Sequence, residues 1–304
     1  MAKHIRVAAV TVPPFSVGAD VGAVLRTALA PLAAERTDLI VLPELCDIPK
    51  GLMAAGEALD AYLERRGESI LTLLADLARE KSTYIAYNTL VPIGGGKKKN
   101  ATRMIDRKGR VIGQYDKCYV TRAESEAGVV PGDGPVLFDC DFGRVAAIIG
   151  IDAEERRLRY LYARQKPAFT VHATRRSAGL VERFFAYNTR SYVVSAAEAA
   201  GTVILPIGDV TAEAPAALGA ATARINLDCI LLHGDGNGSR FGALRAKYGD
   251  RVPIYTPGNL GAHLITVEAP ELTAADVIKE FSFEVLDDFI DRALGKRREL
   301  KVKE

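Results

Sequence analysis

Segments with the hydrophobic pattern of β-strands alternate with segments of helical periodicity along almost the whole chain, and this alternation most constrains the fold. Residues 97–117 and 134–152 each have the pattern of a hairpin, with turns near Gly109 and Gly143. The alternation predicts an α/β protein in which helices cover both sides of a sheet system. Strands are predicted over residues 4–12, 38–45, 82–90, 167–174, 191–197, 201–208 and 221–227, and helices over 19–35, 68–81, 153–165 and 178–190.

The composition argues against several classes of protein. The 304 residues carry 40 basic and 38 acidic side chains, and the formal net charge of +2 gives no electrostatic basis for binding nucleic acid or a membrane surface. The apolar run at the N-terminus is too short for a signal peptide. Because the four cysteines lack metal-type spacing such as CxxC, we expect no metal site and a reducing, cytoplasmic location.

The C-terminal part of the chain has a different character. Residues 231–259 are polar and rich in glycine, and within them HGDGNGSR (233–240) lacks the lysine that a phosphate-binding P-loop needs. A flexible loop is predicted there instead. Residues 262–270 predict a strand, and two short helices follow. We therefore predict a main domain over residues 1–260 and a tail over 261–304 that packs on that domain or on a partner subunit.

Three charged residues stand where predicted strands end or just beyond. Glu44 closes LIVLPE, Lys117 closes VIGQYDK, and Glu124 lies in the following loop. A carboxylate at the end of a buried strand is costly unless a cation pairs with it. Such a pair could act as a general base beside a cation that stabilises an oxyanion. On the pattern alone, a buried salt bridge between strand ends, or a pair of solvated loop residues, is the simpler interpretation.

The same segments resemble the carbon–nitrogen hydrolase family, also called the nitrilase superfamily. The resemblance is carried by LIVLPE (39–44), by NATRMIDRKGRVIGQYDKCYV (100–120) and by ESEAGVVPGDGPVLFDCDFGRVAAIIGID (124–152), which occur in the family's order. It implies an αββα sandwich, in which two β-sheets pack face to face with helices outside. It also implies a homodimer or higher homo-oligomer, with the predicted helices 153–165 and 178–190 at the contact. The family chemistry uses neither cofactor nor metal, so neither is expected.

In that family a cysteine thiolate attacks the carbon of a nitrile or an amide. The resemblance assigns the general base to Glu44, the oxyanion-stabilising cation to Lys117 and the second, positioning glutamate to Glu124. The backbone N–H of Ile151 would be the other oxyanion donor.

The position of the nucleophile falls on Gly150. The family strand ends apolar, apolar, Cys, any residue, Asp, and here residues 148–152 read IIGID. Glycine has no atom that can form the covalent intermediate. The departure extends further, because Glu155, Arg156 and Arg157 stand where the family has a Phe-Pro-Glu step.

Four other residues are candidates for the pocket. Cys46 lies two positions after Glu44 and would face the same way in an extended segment, so it is a possible replacement nucleophile, although an ordinary buried thiol is the simpler interpretation. Asp152 follows the glycine at the family's aspartate position. His172, at the end of a predicted strand, could line the pocket or be structural. Asn188 stands where the family usually has a glutamate.

Several functions remain open on this basis. The first is a pseudoenzyme of the amidase and nitrilase type that no longer hydrolyses carbon–nitrogen bonds covalently but binds a small amide- or acid-like ligand. The second is an active hydrolase that uses water activated by Glu44, or Cys46, or whose natural cysteine at position 150 has been replaced. The third is a non-catalytic partner of an active relative. We expect Gly150→Cys to restore little activity, because the changes at Arg156, Arg157 and Asn188 should disturb the pocket.

Overall fold

The computed structural model describes residues 4–177, 179–258 and 260–299. Contacts divide the chain into two compact units, of which the first is Ile5–Ile225 and the second begins at Asn226 and includes His4. The predicted boundary at residue 260 stays a prediction, and residues 300–304 of the predicted tail lie outside the described residues. Within the described residues, no helix combines the length and the apolar character needed to cross a membrane.

Two sheets form the centre of the first unit, as the family resemblance implies, and each of them has six strands. The strand Leu39–Val41 of one sheet lies against Phe169–Ala173 and Tyr192–Ala196 of the other, and Lys97–Ile105 lies against Gly143–Ile149. In spatial order the first sheet consists of β12 (Ala220–Asn226), β1 (His4–Val10), β2 (Leu39–Val41), β3 (Tyr84–Gly94), β4 (Lys97–Ile105) and β5 (Val111–Asp116). The second consists of β11 (Val210–Pro215), β10 (Ala200–Ile204), β9 (Tyr192–Ala196), β8 (Phe169–Ala173), β7 (Gly143–Ile149) and β6 (Leu137–Cys140).

Helices cover the outer faces of both sheets. Helices α1 (Val21–Leu29) and α3 (Ser69–Lys81) pack on the first sheet through a shared apolar cluster. Helices α5 (Arg156–Gln165) and α6 (Leu180–Thr189) pack on the second sheet in the same way. Each fully buried large apolar side chain contributes about 1.5–3 kcal/mol of transfer free energy. The α/β fold with two sheets flanked by helices is therefore confirmed. Two further helices, α2 (Glu57–Arg66) and α4 (Arg122–Glu126), precede and follow the β3–β5 segment.

The helix predicted over 19–35 is shorter in the structure. Helix α1 ends at Leu29, and a 3-10 turn over Ala30–Leu32 contains Pro31. Proline removes a hydrogen-bond donor and its ring clashes with the preceding turn, so the α-helix ends before it. The helix predicted over 153–165 likewise begins later, at Arg156, after a 3-10 turn over Gly150–Glu154.

The second unit has a small sheet of its own, which consists of β13 (Cys229–His233), β15 (Ala262–Thr266) and β14 (Ile254–Tyr255). The prediction of a flexible loop over residues 233–240 is wrong, because helix α7 (Gly238–Tyr248) begins inside it. Leu244 of this helix is fully buried in an apolar cluster with residues of the sheet, which offsets the poor helical propensity of its glycines. Helices α8 (Ala274–Phe281) and α9 (Leu286–Glu299) complete the unit.

Candidate active site

The structure brings the three predicted charged residues into direct contact. Lys117 follows β5, Glu44 follows β2, and Glu124 lies in α4. The Lys117 Nζ atom is 2.8 Å from Glu44 Oε1 and 2.8 Å from Glu124 Oε1. All three side chains are less than a tenth exposed. One buried ammonium group therefore bridges two buried carboxylates.

A buried asparagine that the sequence analysis missed holds the two carboxylates together. Asn100 Nδ2 donates to Glu44 Oε1 at 2.9 Å and to Glu124 Oε1 at 2.8 Å. Its own Oδ1 accepts from Asn88 Nδ2, which fixes the orientation of the amide. Asn100 lies on β4, and its own backbone carbonyl accepts from the N–H of Lys117 at 2.8 Å. No distinct sequence signal pointed to it, because β4 reads KKKNATRMI and carries several other polar residues.

The charges of this cluster stabilise one another. Burial lowers the pKa of Lys117, but the adjacent Glu44 and Glu124 carboxylates raise it by more than burial lowers it. The pKa of Lys117 therefore lies above its ordinary value. Burial raises the pKa of Glu124, but Lys117 and the hydrogen bonds from Thr121 and Asn100 lower it below the ordinary value. The Glu124 side chain also closes a capping box with Thr121 at the start of α4.

Gly150 lies against this cluster at the end of β7. Its φ is +50°, in the left-handed region that glycine adopts without strain. A Cβ atom at this position would lie 3.0 Å from Glu44 Oε2 and 3.1 Å from Lys117 Nζ. The structure thus places Glu44, Lys117 and Gly150 together, and the carboxylate and the ammonium group border the space that a side chain at position 150 would enter.

Asp152 fixes the turn that follows Gly150. It is fully buried, and its Oδ2 accepts from the Tyr115 hydroxyl at 2.8 Å and from the Ile149 N–H at 3.0 Å. Its Oδ1 accepts from the Tyr119 N–H. Burial raises the pKa of Asp152 to about 6. Asp152 is thus a buried support of the turn, whereas its neighbour Ile151 is 47% exposed.

His172 lies behind the turn and is fully buried. In β8 it pairs with Ile148 of β7, and its Nε2 is 3.1 Å from the carbonyl oxygen of Gly150. Its Nδ1 is 2.8 Å from Oε1 of Glu182, a residue of α6 that the sequence analysis missed. A lone histidine at a strand end gave no sign of this partner, because Glu182 is ten residues away in sequence.

Cys46 does not occupy the space beside Gly150. Its thiol donates to the Asn88 carbonyl at 3.6 Å and belongs to the apolar cluster beneath α1 and α3. Burial raises its pKa well above 9.0, which disfavours the nucleophilic thiolate.

The remaining predicted positions lie on the helices next to the turn. Asn188 donates to the Phe184 carbonyl of its own helix at 2.8 Å. Arg156 and Arg157 are exposed on the first turn of α5. These positions give no contact with Gly150 that would explain the predicted disturbance of the pocket.

A cavity of about 760 Å³ opens beside the cluster. Its wall includes Glu44, Lys117 and Gly150, and its rim carries three basic side chains. Arg175 is paired with Glu198 at 2.8 Å, whereas Lys50 and Arg176 are exposed. The full lining consists of Pro14, Glu44, Lys50, Lys117, Thr121, Gly150, Ile151, Ala153, Glu154, Thr174, Arg175, Arg176, Ser177 and Glu198.

Known structures share this fold at low sequence identity. The Nit3 protein of Saccharomyces cerevisiae, a member of branch 10 of the nitrilase superfamily, is 18% identical with a TM-score of 0.62, over 82% of this chain and 96% of that chain. An amidase from Nesterenkonia sp. is 16% identical with a TM-score of 0.63, over 81% and 97%. A carbon–nitrogen hydrolase from Helicobacter pylori is 14% identical with a TM-score of 0.62, over 81% and 93%.

Comparison by sequence identifies the family. No curated protein matches this chain, but a family profile does. The profile of the carbon–nitrogen hydrolase family matches residues 6–229, which is more than two thirds of its length. The chain therefore belongs to the carbon–nitrogen hydrolase family.

Proposed function

We propose that this protein does not hydrolyse amides or nitriles by the covalent route and instead binds a small amide- or acid-like ligand in the cavity beside Gly150. One observation carries the proposal. At position 150, a Cβ atom would lie 3.0 Å from Glu44 Oε2 and 3.1 Å from Lys117 Nζ, so Gly150 is in the place from which a nucleophile would work with this acid and this cation. Glycine supplies no such atom.

The solved amidase from Nesterenkonia sp. gives a point of comparison. Its structure contains the acetamide moiety of fluoroacetamide added covalently at an active-site cysteine. Here the acid, the cation and the second glutamate are present at Glu44, Lys117 and Glu124, but the thiol is missing. In this proposal, Glu44 and Glu124 accept hydrogen bonds from the ligand, and Lys117 and the Ile151 N–H donate hydrogen bonds to it.

The charge around the cavity supports an acid-like ligand. Lys50 and Arg176 are exposed cations at its rim, and Arg175 is adjacent. A ligand with a carboxylate can contact these side chains while an amide group at its other end reaches Glu44 and Lys117. Arginine binds carboxylates well because its planar guanidinium group offers paired donors.

Turnover measurements test the loss of covalent chemistry. Wild type and Gly150→Cys are assayed with a panel of short amides, carbamoyl compounds and nitriles, and iodoacetamide labelling followed by peptide mass spectrometry locates reactive thiols. We expect no turnover and no fast-reacting thiol in the wild type. We expect little gain in the variant, because a side chain at a φ of +50° strains the turn that has to hold it. Turnover in the wild type that is lost in Cys46→Ala would overturn the proposal. Turnover that survives Cys46→Ala would point to water activated by Glu44.

Binding measurements test the ligand class. Isothermal titration calorimetry of the wild type uses short carboxylic acids, amides, and amides that carry a carboxylate. We expect the last group to bind best and to bind more weakly to Arg176→Gln. Arg164→Gln, which changes an exposed arginine of α5, is the matched control. Equal affinity in the two variants would exclude a role for the basic rim.

We also propose a homodimer that forms through α5 and α6. Three large apolar side chains of these helices are exposed, namely Tyr160 (60%), Leu180 (77%) and Phe184 (50%). Arg159 lies over the ring of Phe184 at 4.8 Å. A cluster of exposed apolar side chains is typical of a protein–protein contact.

A further inference from the structure

A buried polar network contacts the backbone carbonyl of Gly150. His172 is fully buried, and its Nε2 is 3.1 Å from the Gly150 carbonyl oxygen, while its Nδ1 is 2.8 Å from Glu182 Oε1. Glu182 is also fully buried and accepts from the Ser195 hydroxyl at 2.6 Å and from the Ser177 hydroxyl at 3.2 Å. None of these side chains takes part in the function proposed above.

The chemistry of the partners fixes where the hydrogens lie. A carbonyl oxygen can only accept, so Nε2 of His172 must carry a hydrogen. At the other ring nitrogen, a proton must lie between Nδ1 and the Glu182 carboxyl group. Two serine hydroxyls donate to that carboxyl group, which favours its ionised form. Both ring nitrogens are then donors, and the ring is an imidazolium that is paired with a carboxylate.

We propose that His172 is a positioning residue that, as an imidazolium paired with Glu182, holds the Gly150 carbonyl from inside the protein and so fixes the turn that presents the Ile151 N–H to the cavity. This role of His172 goes beyond the proposed function. Only its effect on ligand binding rests on that function.

The turn needs such an anchor because glycine leaves its own backbone free. Gly150 has φ of +50° and carries no Cβ to restrict its alternatives. Asp152 fixes one side of the turn, since it accepts from the Ile149 N–H. The carbonyl of Gly150 is on the other side, and His172 holds it there. The Gly150 carbonyl and the Ile151 N–H belong to one peptide group, so holding the carbonyl also fixes the direction of this N–H.

The surroundings of His172 keep its proton in place. Burial lowers the pKa of His172, but the hydrogen bond and the charge of Glu182, the Gly150 carbonyl and the charge of Glu44 raise it above the ordinary value of 6.5. Ser195 of β9 and Ser177 of the β8–α6 loop contribute hydroxyls and no charge. Because the folded-state pKa is raised, the stabilisation by the ion pair of His172 and Glu182 is fully present below pH 6.5 and is lost as the pH rises through the folded-state value.

Nitrogen-15 NMR of the histidine side chains tests the protonation state without any ligand. The chain has four histidines, and the signal of His172 is the one that disappears in His172→Phe. We expect the chemical shifts of an imidazolium at pH 7, with slowly exchanging hydrogens on both ring nitrogens. A neutral ring at pH 7 in the wild type would overturn the proposal, whether or not a ligand of the cavity is ever found.

Hydrogen exchange tests the positioning role. Glu182→Gln removes the negative partner of the ring. Ser195→Ala removes one hydroxyl that contacts both the carboxylate and His172 Nδ1, at 2.6 and 3.3 Å, but Ser177 and the ring still stabilise the ionised carboxylate. We expect backbone amides of residues 149–155 to exchange about tenfold faster in Glu182→Gln and about as in the wild type in Ser195→Ala, since the negative charge that pairs with the ring is lost in the first variant only. Equal exchange in both variants would contradict the assignment. If Glu182→Gln does not fold, the NMR measurement on the wild type decides alone.

Discussion

Replacement of Lys117 by methionine gives the sharpest test of the charge cluster. The ammonium group is 2.8 Å from Glu44 Oε1 and 2.8 Å from Glu124 Oε1, and the Lys117 side chain is 3% exposed. Methionine fills a similar volume but leaves two buried carboxylates next to each other. Removal of one partner from a buried ion pair costs about 3–5 kcal/mol. We therefore expect the free energy of unfolding of Lys117→Met to fall by about this amount at pH 7.

The pH dependence identifies the cause. Lys117 lowers the pKa of Glu124, so its stabilising effect is present above the ordinary glutamate pKa of 4.5 and is lost as the pH falls through the folded-state value. In the variant a carboxylate can take up a proton, which relieves the repulsion. The difference in stability between the variant and the wild type should therefore shrink as the pH is lowered from 7 to 5.

Urea unfolding monitored by circular dichroism at several pH values measures both effects. Lys98→Met is the matched control, because Lys98 is 4% exposed but its partner Asp60 is 51% exposed, at 2.6 Å. Asp60 stays hydrated without its lysine, although the Gly96 and Ala127 carbonyls lose a donor. We therefore expect a loss of about 1–3 kcal/mol in the free energy of unfolding, without a trend between pH 7 and 5. A loss below about 1 kcal/mol in Lys117→Met, or one without a pH trend, would refute the reasoning.

Three further predictions concern the neighbouring turn and the outer helices. Gly150→Ala should lower the free energy of unfolding by about 1–3 kcal/mol, because the backbone is left-handed and Glu44 and Lys117 crowd the new methyl group. The control Gly236→Ala, with φ of +75° and open space around it, should lower the free energy of urea unfolding by less. The carboxyl carbon of Asp152 should titrate near pH 6 by NMR, since burial raises its pKa to about 6, and a midpoint below 4.5 would contradict this. Phe184→Glu should weaken a dimer in sedimentation velocity, whereas an unchanged distribution would exclude α6 from the contact.

The charged residues of the site were accessible from the sequence for a physical reason. Glu44 and Lys117 follow apolar strands, and a charge at such a position requires a partner. The resemblance to the carbon–nitrogen hydrolase family then placed Glu124 and Gly150 beside them, and the structure shows these four residues together. Their assigned roles stay predictions until the variants are measured.

Other parts of the site were not accessible because their partners are distant in sequence. Asn100 joins Glu44 and Glu124 across intervals of 56 and 24 residues. His172 and Glu182 meet only because α6 packs back on β8. The residues alone show none of these pairings, since no local pattern encodes which polar groups face each other across a core.

The sequence by itself determined the alternation of strands and helices, because hydrophobic periodicity is a local property. The arrangement of the strands in two sheets came from the resemblance to the carbon–nitrogen hydrolase family. The sequence did not determine β11, an edge strand with mostly exposed side chains, or α7, whose glycines hide a helix. Only the tertiary structure decided that Glu44 and Lys117 border the space beside Gly150 and that a buried histidine holds its carbonyl. Those distances depend on how separate segments pack, which is set by the whole core.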